Sequence, residues 1–243
     1  MSALQGQAAL VTGAGSGIGR ALAGALAAHG ASVWLAGRTA GTLEETAALV
    51  RGHGGEAHVC PADLEREDDI AVLARAVHAS GALDILVHNA GAMTFGTVEA
   101  TPVSELDRQY RISLRAPYLL TQALLPLLRA RRGQIVFVNS SAGLTARQGL
   151  TQYAAAKFGQ KALADGLRGE VNRDGIRVVS IYPGRTATAM HAAFAAKEGV
   201  GYRDEDLAQP ADIASIVLNA LMLPRTAEVT DLSVRPMQPG TRS

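Results

Sequence analysis

Short apolar segments alternate with longer segments of helical periodicity along almost the whole chain. The apolar segments carry Val, Ile and Leu at successive positions, as expected for strands that are covered on both faces. Strands are predicted at 8–12, 32–36, 57–60, 83–88, 134–139, 177–182 and 228–234. Helices are predicted between them at 17–29, 40–51, 66–79, 103–130, 152–173 and 210–223.

This alternation predicts the fold class and the domain organisation. Strands that alternate with helices pair in parallel through right-handed crossovers. We therefore predict an α/β fold with one doubly wound parallel sheet of about seven strands and helices on both faces. No linker, repeat or low-complexity tract divides residues 1–243, which indicates a single domain. Gly30 and Gly175 are placed to end helices, and Pro210 to begin the last one.

The stretch 185–208 departs from the alternation because it is long, mixed in character and lies between a strand and the last helix. An insertion at the carboxyl edge of a sheet is typical of a lid over a substrate site. An irregular surface loop is the alternative interpretation. We predict that 185–208 is a candidate substrate lid loop.

Charge and composition exclude several classes of protein. Lys plus Arg number 23 and Asp plus Glu 22, a net charge of +1, which gives no support to nucleic acid or an anionic membrane as partner. The one basic cluster, Arg129, Arg131 and Arg132, is interpreted as complementing the negative end of a helix. No segment reaches the ~18 continuous apolar residues of a membrane helix. The start of the chain does not resemble a signal peptide, so a cytoplasmic protein is predicted.

The cysteine and histidine pattern argues against a metal site. Cys60 is the only cysteine, which excludes an internal disulfide and makes a thiolate metal site improbable. The six histidines are scattered among separate elements. The sequence therefore predicts no bound metal.

The first predicted strand leads into TGAGSGIGR (12–20) and then a helix. Gly13, Gly17 and Gly19 permit a tight turn and let backbone N–H groups approach a pyrophosphate at the helix N-terminus. A tight turn without a ligand is the alternative, but the position between strand and helix favours a nucleotide site. Ser16 and Ile18 belong to the same turn and are predicted to bind the cofactor with the glycines.

The second strand indicates which nucleotide is bound. A carboxylate about 20 residues past the glycines would bind a ribose 2′-hydroxyl. Here Gly37 stands at that position and Arg38 follows it. The planar guanidinium suits a phosphate, although a solvated arginine is the alternative. NADP(H) is therefore predicted in preference to NAD(H).

Candidate catalytic residues follow the later strands. The fourth strand continues into HNAG (88–91) and the fifth into NSSAG (139–143), and both reach the carboxyl edge of the sheet. Tyr153 and Lys157 lie four apart, on one face of the next helix. An ammonium beside a phenol lowers the phenol pKa from ~10, which indicates an acid/base pair with Ser140 near the same substrate oxygen. Chance placement on an exposed helix face is the alternative for this pair.

Taken in order, TGxxxGIG, NAG, Ser140, Tyr153, Lys157 and IYPG (181–184) resemble the short-chain dehydrogenase/reductase family over essentially the whole chain. The resemblance implies a Rossmann-type sheet and nicotinamide-dependent carbonyl/alcohol chemistry. It implies that Tyr153 exchanges the proton, that Lys157 lowers the tyrosine pKa and holds the nicotinamide ribose, and that Ser140 orients the substrate oxygen.

The resemblance also implies further cofactor contacts. Asp63 is expected near the adenine, and the NAG segment near the adenosine end. The remaining cofactor-binding candidates lie in that segment and around the nicotinamide: Asn89, Ala90, Gly91, Pro183, Gly184, Thr186 and Thr188. Arg185 could contact an anionic substrate or be solvated.

Three departures from the family pattern stand out. Ser113 occupies the position of a helix asparagine that kinks the helix and holds a water in a proton relay with the lysine. His88 replaces a second asparagine and is interpreted as structural. The C-terminal segment EVTDLSVRPMQPG lacks the usual aspartate-glycine-glycine tail, which shapes tetramer contacts in the family. A homodimer or homotetramer, formed through helices 103–130 and 152–173, is implied by the resemblance.

These residues support competing functions. The first is an NADP(H)-dependent oxidoreductase acting on a carbonyl or secondary alcohol, with Ser140, Tyr153, Lys157 and Ser113 as catalytic candidates. The second is an NADPH-binding regulatory or sensing protein with weak or no catalysis, which the serine at position 113 motivates. A purely structural protein would need neither the phosphate turn nor the acid/base set.

Overall fold

The computed structural model describes residues 3–199 and 201–237. Seven strands form one sheet: β1 (Ala8–Thr12), β2 (Ser32–Gly37), β3 (Ala57–Pro61), β4 (Ile85–His88), β5 (Gln134–Val138), β6 (Arg177–Pro183) and β7 (Asp231–Val234). Their order is β3-β2-β1-β4-β5-β6-β7, and each pair is parallel. The predicted fold class is confirmed. Parts of the predicted domain 1–243, namely residues 1, 2, 200 and 238–243, lie outside the described residues.

The helices lie close to their predicted positions. They are α1 (Gly17–Ala28), α2 (Ala40–Gly52), α3 (Glu67–Ala79), α4 (Val103–Tyr110), α5 (Ala116–Arg131), α6 (Thr151–Val171), α7 (Ala189–Glu198) and α8 (Pro210–Leu221). Short 3-10 turns add 141–143, 172–174 and 204–206. Helix α7 was not predicted and lies inside the lid candidate 185–208.

The predicted helix 103–130 is divided by a π-helical turn at Arg111–Arg115. Pro117 cannot donate an N–H to the carbonyl four residues earlier, and its ring crowds that carbonyl. That carbonyl belongs to Ser113, so the wider π turn is the local accommodation of the proline. The turn places Ser113 in the interior of the molecule, where its exposed fraction is 0%.

Alternation along the strands builds a core on each side of the sheet. On β1, Ala9 and Val11 pack in a cluster with residues of α1, α2 and α8. Leu10 points the other way, into a cluster with residues of α3, α5 and α6. Burial of each leucine of this kind stabilises the fold by about 1.5–3 kcal/mol. Because both faces are covered, the strands are apolar at successive positions.

The helix-end predictions also hold. Gly30 has φ 94° and Gly175 has φ 77°, the left-handed region in which glycine ends helices without strain. Arg129 and Arg131 lie in the last turn of α5, as predicted. Each also pairs with a carboxylate, Arg129 with Asp174 at 2.8 Å and Arg131 with Asp84 at 2.9 Å.

Strand order reverses between β1 and β4, which is where ligands bind in open parallel sheets. The carboxyl ends of β1, β4, β5 and β6 open onto the same edge at this point. The segments that follow these strands are therefore the segments that build the candidate site.

Candidate active site

The turn between β1 and α1 requires glycine because backbone approaches backbone there. Gly13 has φ 65°, and a Cβ added to it would lie 2.9 Å from the Ala90 Cα. A Cβ at Gly19 would overlap the Gly13 carbonyl oxygen. Gly17 has φ 52°, and an added Cβ would lie 3.1 Å from the Thr188 methyl group. The turn is thus a side-chain-free cradle of backbone groups.

The start of α1 is open to an anion. Ser16 caps the helix through its extended backbone, but its side chain makes no capping hydrogen bond. The first turn of α1 contains no acidic residue. Ile18 is half-buried and packs against the core, which fixes the helix beneath the turn. The positive end of the helix and its N–H groups therefore remain available to a phosphate.

Side-chain and backbone hydrogen bonds join the end of β4 to the end of β1. The Asn89 amide donates to the carbonyls of Thr12, at 2.9 Å, and of Gly13, at 3.1 Å. The backbone N–H groups of Asn89 and Ala90 donate to the Thr12 hydroxyl, which itself donates to the Val87 carbonyl. The NAG segment thus holds the glycine cradle in shape. Thr12, which the sequence did not single out, is the hub of these bonds.

Arg38 and Asp63 follow neighbouring strands at the same edge of the sheet. Arg38 directly follows β2 and is exposed, and among the described residues its guanidinium has no hydrogen-bond or ion-pair partner. Asp63 follows β3, and its carboxylate accepts the N–H of Glu65. The last residues of the two strands, Gly37 and Pro61, are register partners. The structure therefore brings both predicted residues to one side of the cradle.

The end of β5 is joined to α6 by Asn139. Its amide donates to the Lys157 carbonyl at 3.1 Å, and its oxygen accepts the Ser140 N–H at 2.8 Å. A Cβ on Gly143 would overlap the Asn139 oxygen, so glycine is required for this approach. The Ser140 hydroxyl accepts the N–H of Ala142 at 3.1 Å. Asn139 therefore sets the position of Ser140 relative to the helix that carries the tyrosine and the lysine.

Lys157 is buried, with an exposed fraction of 3%. Its ammonium donates to the Val138 carbonyl at 3.1 Å and to the Gln160 side-chain oxygen at 3.0 Å. Its Nζ lies 6.0 Å from the centroid of the Tyr153 ring. Burial disfavours the charged form and lowers the pKa of Lys157 to about 7.

Tyr153 is buried beside Ser140 and Lys157, and its exposed fraction is 7%. The sequence predicts a lowered phenol pKa, but in this structure burial raises the pKa of Tyr153, and the Ser140 hydroxyl opposes part of that rise. Desolvation outweighs the Ser140 hydrogen bond, and the Lys157 ammonium donates to Val138 and Gln160 rather than to the phenol. The phenol is therefore held in its protonated form at neutral pH.

Ser113 lies in the π-helical turn, which packs against α6. Its hydroxyl is fully buried and has no hydrogen-bond partner among the described residues. Its hydroxyl makes no hydrogen bond to Tyr153 or Lys157. Its predicted part in a relay stays a prediction.

The segment after β6 reaches the glycine turn. Gly184 donates its N–H to the Val234 carbonyl of β7 at 2.7 Å, which anchors the strand end beyond Pro183. Thr186 is buried and its hydroxyl donates to the Gly184 carbonyl. Thr188 caps α7 by accepting the His191 N–H at 3.2 Å. Since a Cβ added to Gly17 would lie 3.1 Å from the Thr188 methyl group, this segment lies next to the glycine cradle.

The lid candidate 185–208 contains helix α7, and its two ends are joined by backbone hydrogen bonds. Backbone hydrogen bonds join Ala208 to Arg185 and to Ala187. Helix α7 packs on the loop after β4, where the rings of Phe194 and Phe95 meet edge to face with centroids 5.6 Å apart. Arg185 itself is exposed.

The loop after β4 is also fixed against the segment before α6. Lys197 donates to the Phe95 carbonyl at 3.1 Å. A Cβ on Gly149 would overlap the Phe95 ring, and the Gly96 N–H donates to the Gly149 carbonyl at 2.9 Å. Phe95 therefore links the lid to the loop that leads into Tyr153.

The remaining polar candidates do not join the site. His88 is buried, its Nε2 lies 2.8 Å from the Thr121 hydroxyl, and burial lowers its pKa to about 3, so it is a neutral packing residue.

Within 3–199 and 201–237, no group of three or more His, Cys, Asp or Glu side chains could hold a metal ion. In the same residues, no helix combines the length and apolarity that a membrane crossing needs.

Comparison with known proteins agrees with this arrangement. An uncharacterized oxidoreductase of Staphylococcus aureus (strain USA300) is 33% identical over 239 residues, which cover 98% of this chain and 100% of the relative. A metagenomic short-chain oxidoreductase solved in complex with NADP is 32% identical, with a TM-score of 0.85 over 98% of this chain and 100% of that chain. A 3-ketoacyl-(acyl-carrier-protein) reductase from Brucella melitensis, solved with NADH, is 28% identical with a TM-score of 0.85, over 95% and 97%.

The family model described as short chain dehydrogenase matches residues 7–199, which hold the glycine cradle, Ser140, Tyr153 and Lys157. Together with the sheet order and the relatives, this match identifies an oxidoreductase. The chain belongs to the short-chain dehydrogenase/reductase family.

Proposed function

We propose that the protein transfers a hydride between NADP(H) and a carbonyl or secondary alcohol, with Tyr153 as the acid/base. The observation that carries this proposal is the placement of Ser140, Tyr153 and Lys157 beside the glycine cradle, at one edge of the sheet. Ser140 and Lys157 are held there by Asn139. An acid/base set and a nucleotide cradle at one edge are what carbonyl reduction needs.

The residues fit a dinucleotide. Gly13 and Gly19 leave space that a Cβ would fill, and the N-terminus of α1 favours a pyrophosphate. Asp63 and Arg38 border the side where an adenosine would lie, and Thr188 borders the opposite side. A bound nicotinamide supplies or accepts the hydride, while the chain supplies position and protons.

The proton chemistry follows from burial. Tyr153 keeps its proton because desolvation raises its pKa, so it can donate that proton to an oxygen that gains negative charge. The Ser140 hydroxyl can donate a hydrogen bond to the same oxygen. Lys157, in its protonated form, stabilises the phenolate left behind. A protonated phenol is the state of Tyr153 that reduction of a carbonyl requires.

Selectivity for NADP(H) over NAD(H) rests on Arg38. Its exposed guanidinium is free of intramolecular partners among the described residues, and Gly37 before it carries no carboxylate to bind a 2′-hydroxyl. A guanidinium–phosphate contact is charge-assisted, and a cofactor without the 2′-phosphate forfeits it. Because relatives were solved with NADP and with NADH, the choice must come from this chain's own residues.

The segment 185–208 is proposed to cover the substrate. Its inner contacts are aromatic: Phe194 meets Phe95 edge to face, and His191 lies 5.8 Å from Phe194 and 5.9 Å from Tyr202 between ring centroids. Mostly apolar walls with a few polar groups are typical of sites for small molecules. A small-molecule carbonyl with an apolar substituent fits this cover.

A homodimer or homotetramer is proposed to form through α5 and α6. Tyr118 on α5 and Phe158 on α6 are exposed at 52% and 43%, and contact with a second copy through these helices would cover them. Sedimentation at micromolar concentration tests this assembly, and a monomer would contradict it. The cytoplasmic location remains a prediction from the sequence.

The decisive experiment follows NADPH and NADH absorbance over a panel of aldehydes, ketones and quinones, with Tyr153→Phe beside the wild type. NADPH consumption that is lost in Tyr153→Phe is expected. NADPH binding in both proteins, with turnover in neither, would instead favour the regulatory alternative. Faster turnover of NADH would contradict the role given to Arg38.

A further inference from the structure

Gln160 is the side chain that holds the Lys157 ammonium from within α6. Its exposed fraction is 0%, and its Oε1 accepts from the Lys157 Nζ at 3.0 Å. The Val138 carbonyl takes a second donor at 3.1 Å. An ammonium has three donors, so these bonds fix its direction and leave one N–H for another partner.

The amide of Gln160 is not explained by fold stability. Further along the buried side of α6 lie apolar side chains, Ala164, Leu167 and Val171. Among the described residues, the Gln160 Nε2 is buried without a hydrogen-bond partner. Burying such a group carries a desolvation cost that an apolar side chain of similar size would avoid. The amide must therefore serve the one bond that it makes, to Lys157.

The surroundings of Gln160 are tightly built. The preceding residue, Gly159, lies against Leu114 of the π-helical turn, where an added Cβ would approach the Leu114 side chain to 2.9 Å. The π turn therefore packs on α6 beside Gln160. The next π-turn residue towards the N-terminus, Ser113, is buried and without a partner in the described part of the chain. Ser113 thus makes no hydrogen bond to Lys157, whereas Gln160 does.

No other charged group competes for the ammonium. On α6 itself, Tyr153 lies one turn before Lys157, with its ring centroid 6.0 Å from the Lys157 Nζ, and Lys161 lies one turn after it and donates to Asp165. None of the titratable groups on the elements packed against α6 forms a hydrogen bond or ion pair with Lys157 in 3–199 and 201–237. Those groups are Glu105, Asp107, Arg108, Tyr110, Arg111, Arg115, Arg173, Asp174, Arg177 and Tyr182.

We propose that Gln160 is a positioning residue, which holds the Lys157 ammonium in its charged, directed state through the side-chain carbonyl. It acts on the reaction only through Lys157, and it touches neither substrate nor cofactor. The inference rests on the proposed function, because that function gives Lys157 a reason to stay charged at a fixed place. The side chain that holds Lys157 therefore lies on the same helix, α6, three residues further along.

The test uses the fact that the chain has only three lysines, Lys157, Lys161 and Lys197. Lysine side chains labelled with carbon-13 at Cε are titrated by NMR in the full-length protein without ligands. Lys161→Arg and Lys197→Arg identify the Lys157 signal. The titration midpoint of Lys157 is then compared between the wild type, Gln160→Met and Gln160→Glu.

Gln160→Met keeps the length of the side chain but removes the acceptor, so the Lys157 midpoint falls by about 1 pH unit. Gln160→Glu keeps an acceptor and adds a negative charge, so the midpoint rises by about 1 unit or more. Leu167→Ala is the control: it opens a cavity in the same helix and lowers stability, but leaves the Lys157 midpoint unchanged. A folded Gln160→Met protein with a wild-type midpoint would overturn the inference.

A kinetic experiment separates this inference from the proposed function. If NADPH-dependent turnover is found, the alkaline limb of kcat/KM moves down in Gln160→Met and is restored or moved up in Gln160→Glu. If no substrate is turned over but the Lys157 midpoint moves as described, the proposed function fails and the positioning role stands. If NADPH-dependent turnover is found but the Lys157 midpoint does not move in the Gln160 variants, the proposed function stands and the positioning role fails.

Discussion

Burial of Lys157 makes stability depend on pH in a direction that can be worked out. Its pKa is lowered from 10.5 to about 7 in the folded chain because the ammonium is desolvated. Between these values the unfolded chain binds more protons at this residue than the folded chain. The free energy of unfolding therefore rises with pH through this window. The destabilisation caused by burying the Lys157 ammonium is complete below pH 7, and it disappears above 10.5, the pKa of this lysine in the unfolded chain.

The size of the effect follows from the same two pKa values. A titration from 10.5 unfolded to about 7 folded contributes about 2 kcal/mol of added stability between pH 7 and pH 9. Lys157→Met removes this titration and leaves the other titrating groups in place. The difference in free energy of unfolding between wild type and Lys157→Met is therefore expected to change by about 2 kcal/mol over that range.

The assay is urea unfolding of both proteins at several pH values, with one buffer system and constant ionic strength. Lys161→Arg, which changes a partly exposed lysine of the same helix, serves as the control and should run parallel to the wild type. Wild-type and Lys157→Met curves that stay parallel between pH 7 and pH 9 would refute the reasoning. They would mean that the ammonium is solvated in a way the structure excludes.

Three further predictions test separate parts of the site. Tyr153→Phe should lower kcat by about 10²–10⁴-fold while the Kd for NADPH, measured by fluorescence, stays unchanged; equal turnover in the variant would remove the acid/base role. Arg38→Leu should weaken NADPH binding by about 10–100-fold and leave NADH binding unaltered, because only the phosphate contact is lost; a matching loss for NADH would point to a damaged fold instead. Asn139→Ala removes one buried and one partly buried hydrogen bond and should lower the free energy of unfolding by about 1–3 kcal/mol. The same variant should lower kcat, and an unchanged kcat would show that Asn139 does not set the geometry of Ser140.

Most of the fold was predictable because its signals are local. Runs of apolar residues marked strands covered on both faces, and glycines such as Gly30 marked helix ends. The division of helix 103–130 was missed, because Pro117 gives a local warning but the pattern does not say whether a helix stops, kinks or widens. Helix α7 was missed because its alanine-rich segment, 189–198, lacks a contrast between apolar and polar faces.

The proximity of the candidate residues was predictable, but their electrostatics was not. Tyr153 and Lys157 are brought together by helical spacing alone. Burial raises the pKa of the tyrosine and lowers that of the lysine, and it depends on elements distant in sequence that pack on α6, such as β6 and the π-helical turn. Asn139 was missed because its bond to the Lys157 carbonyl appears only when the end of β5 meets α6. Gln160 lies within helical reach of Lys157, but the sequence does not show that both side chains are buried.

One measurement tests the central claim most directly. NADPH deuterated at the transferable position of the nicotinamide is incubated with the protein and a carbonyl substrate found in the panel, and the product is analysed by mass spectrometry. The account predicts one deuterium on the carbinol carbon of the product with wild-type protein, and almost none with Tyr153→Phe over the same time. An alcohol product without deuterium, or equal labelling by both proteins, would contradict it.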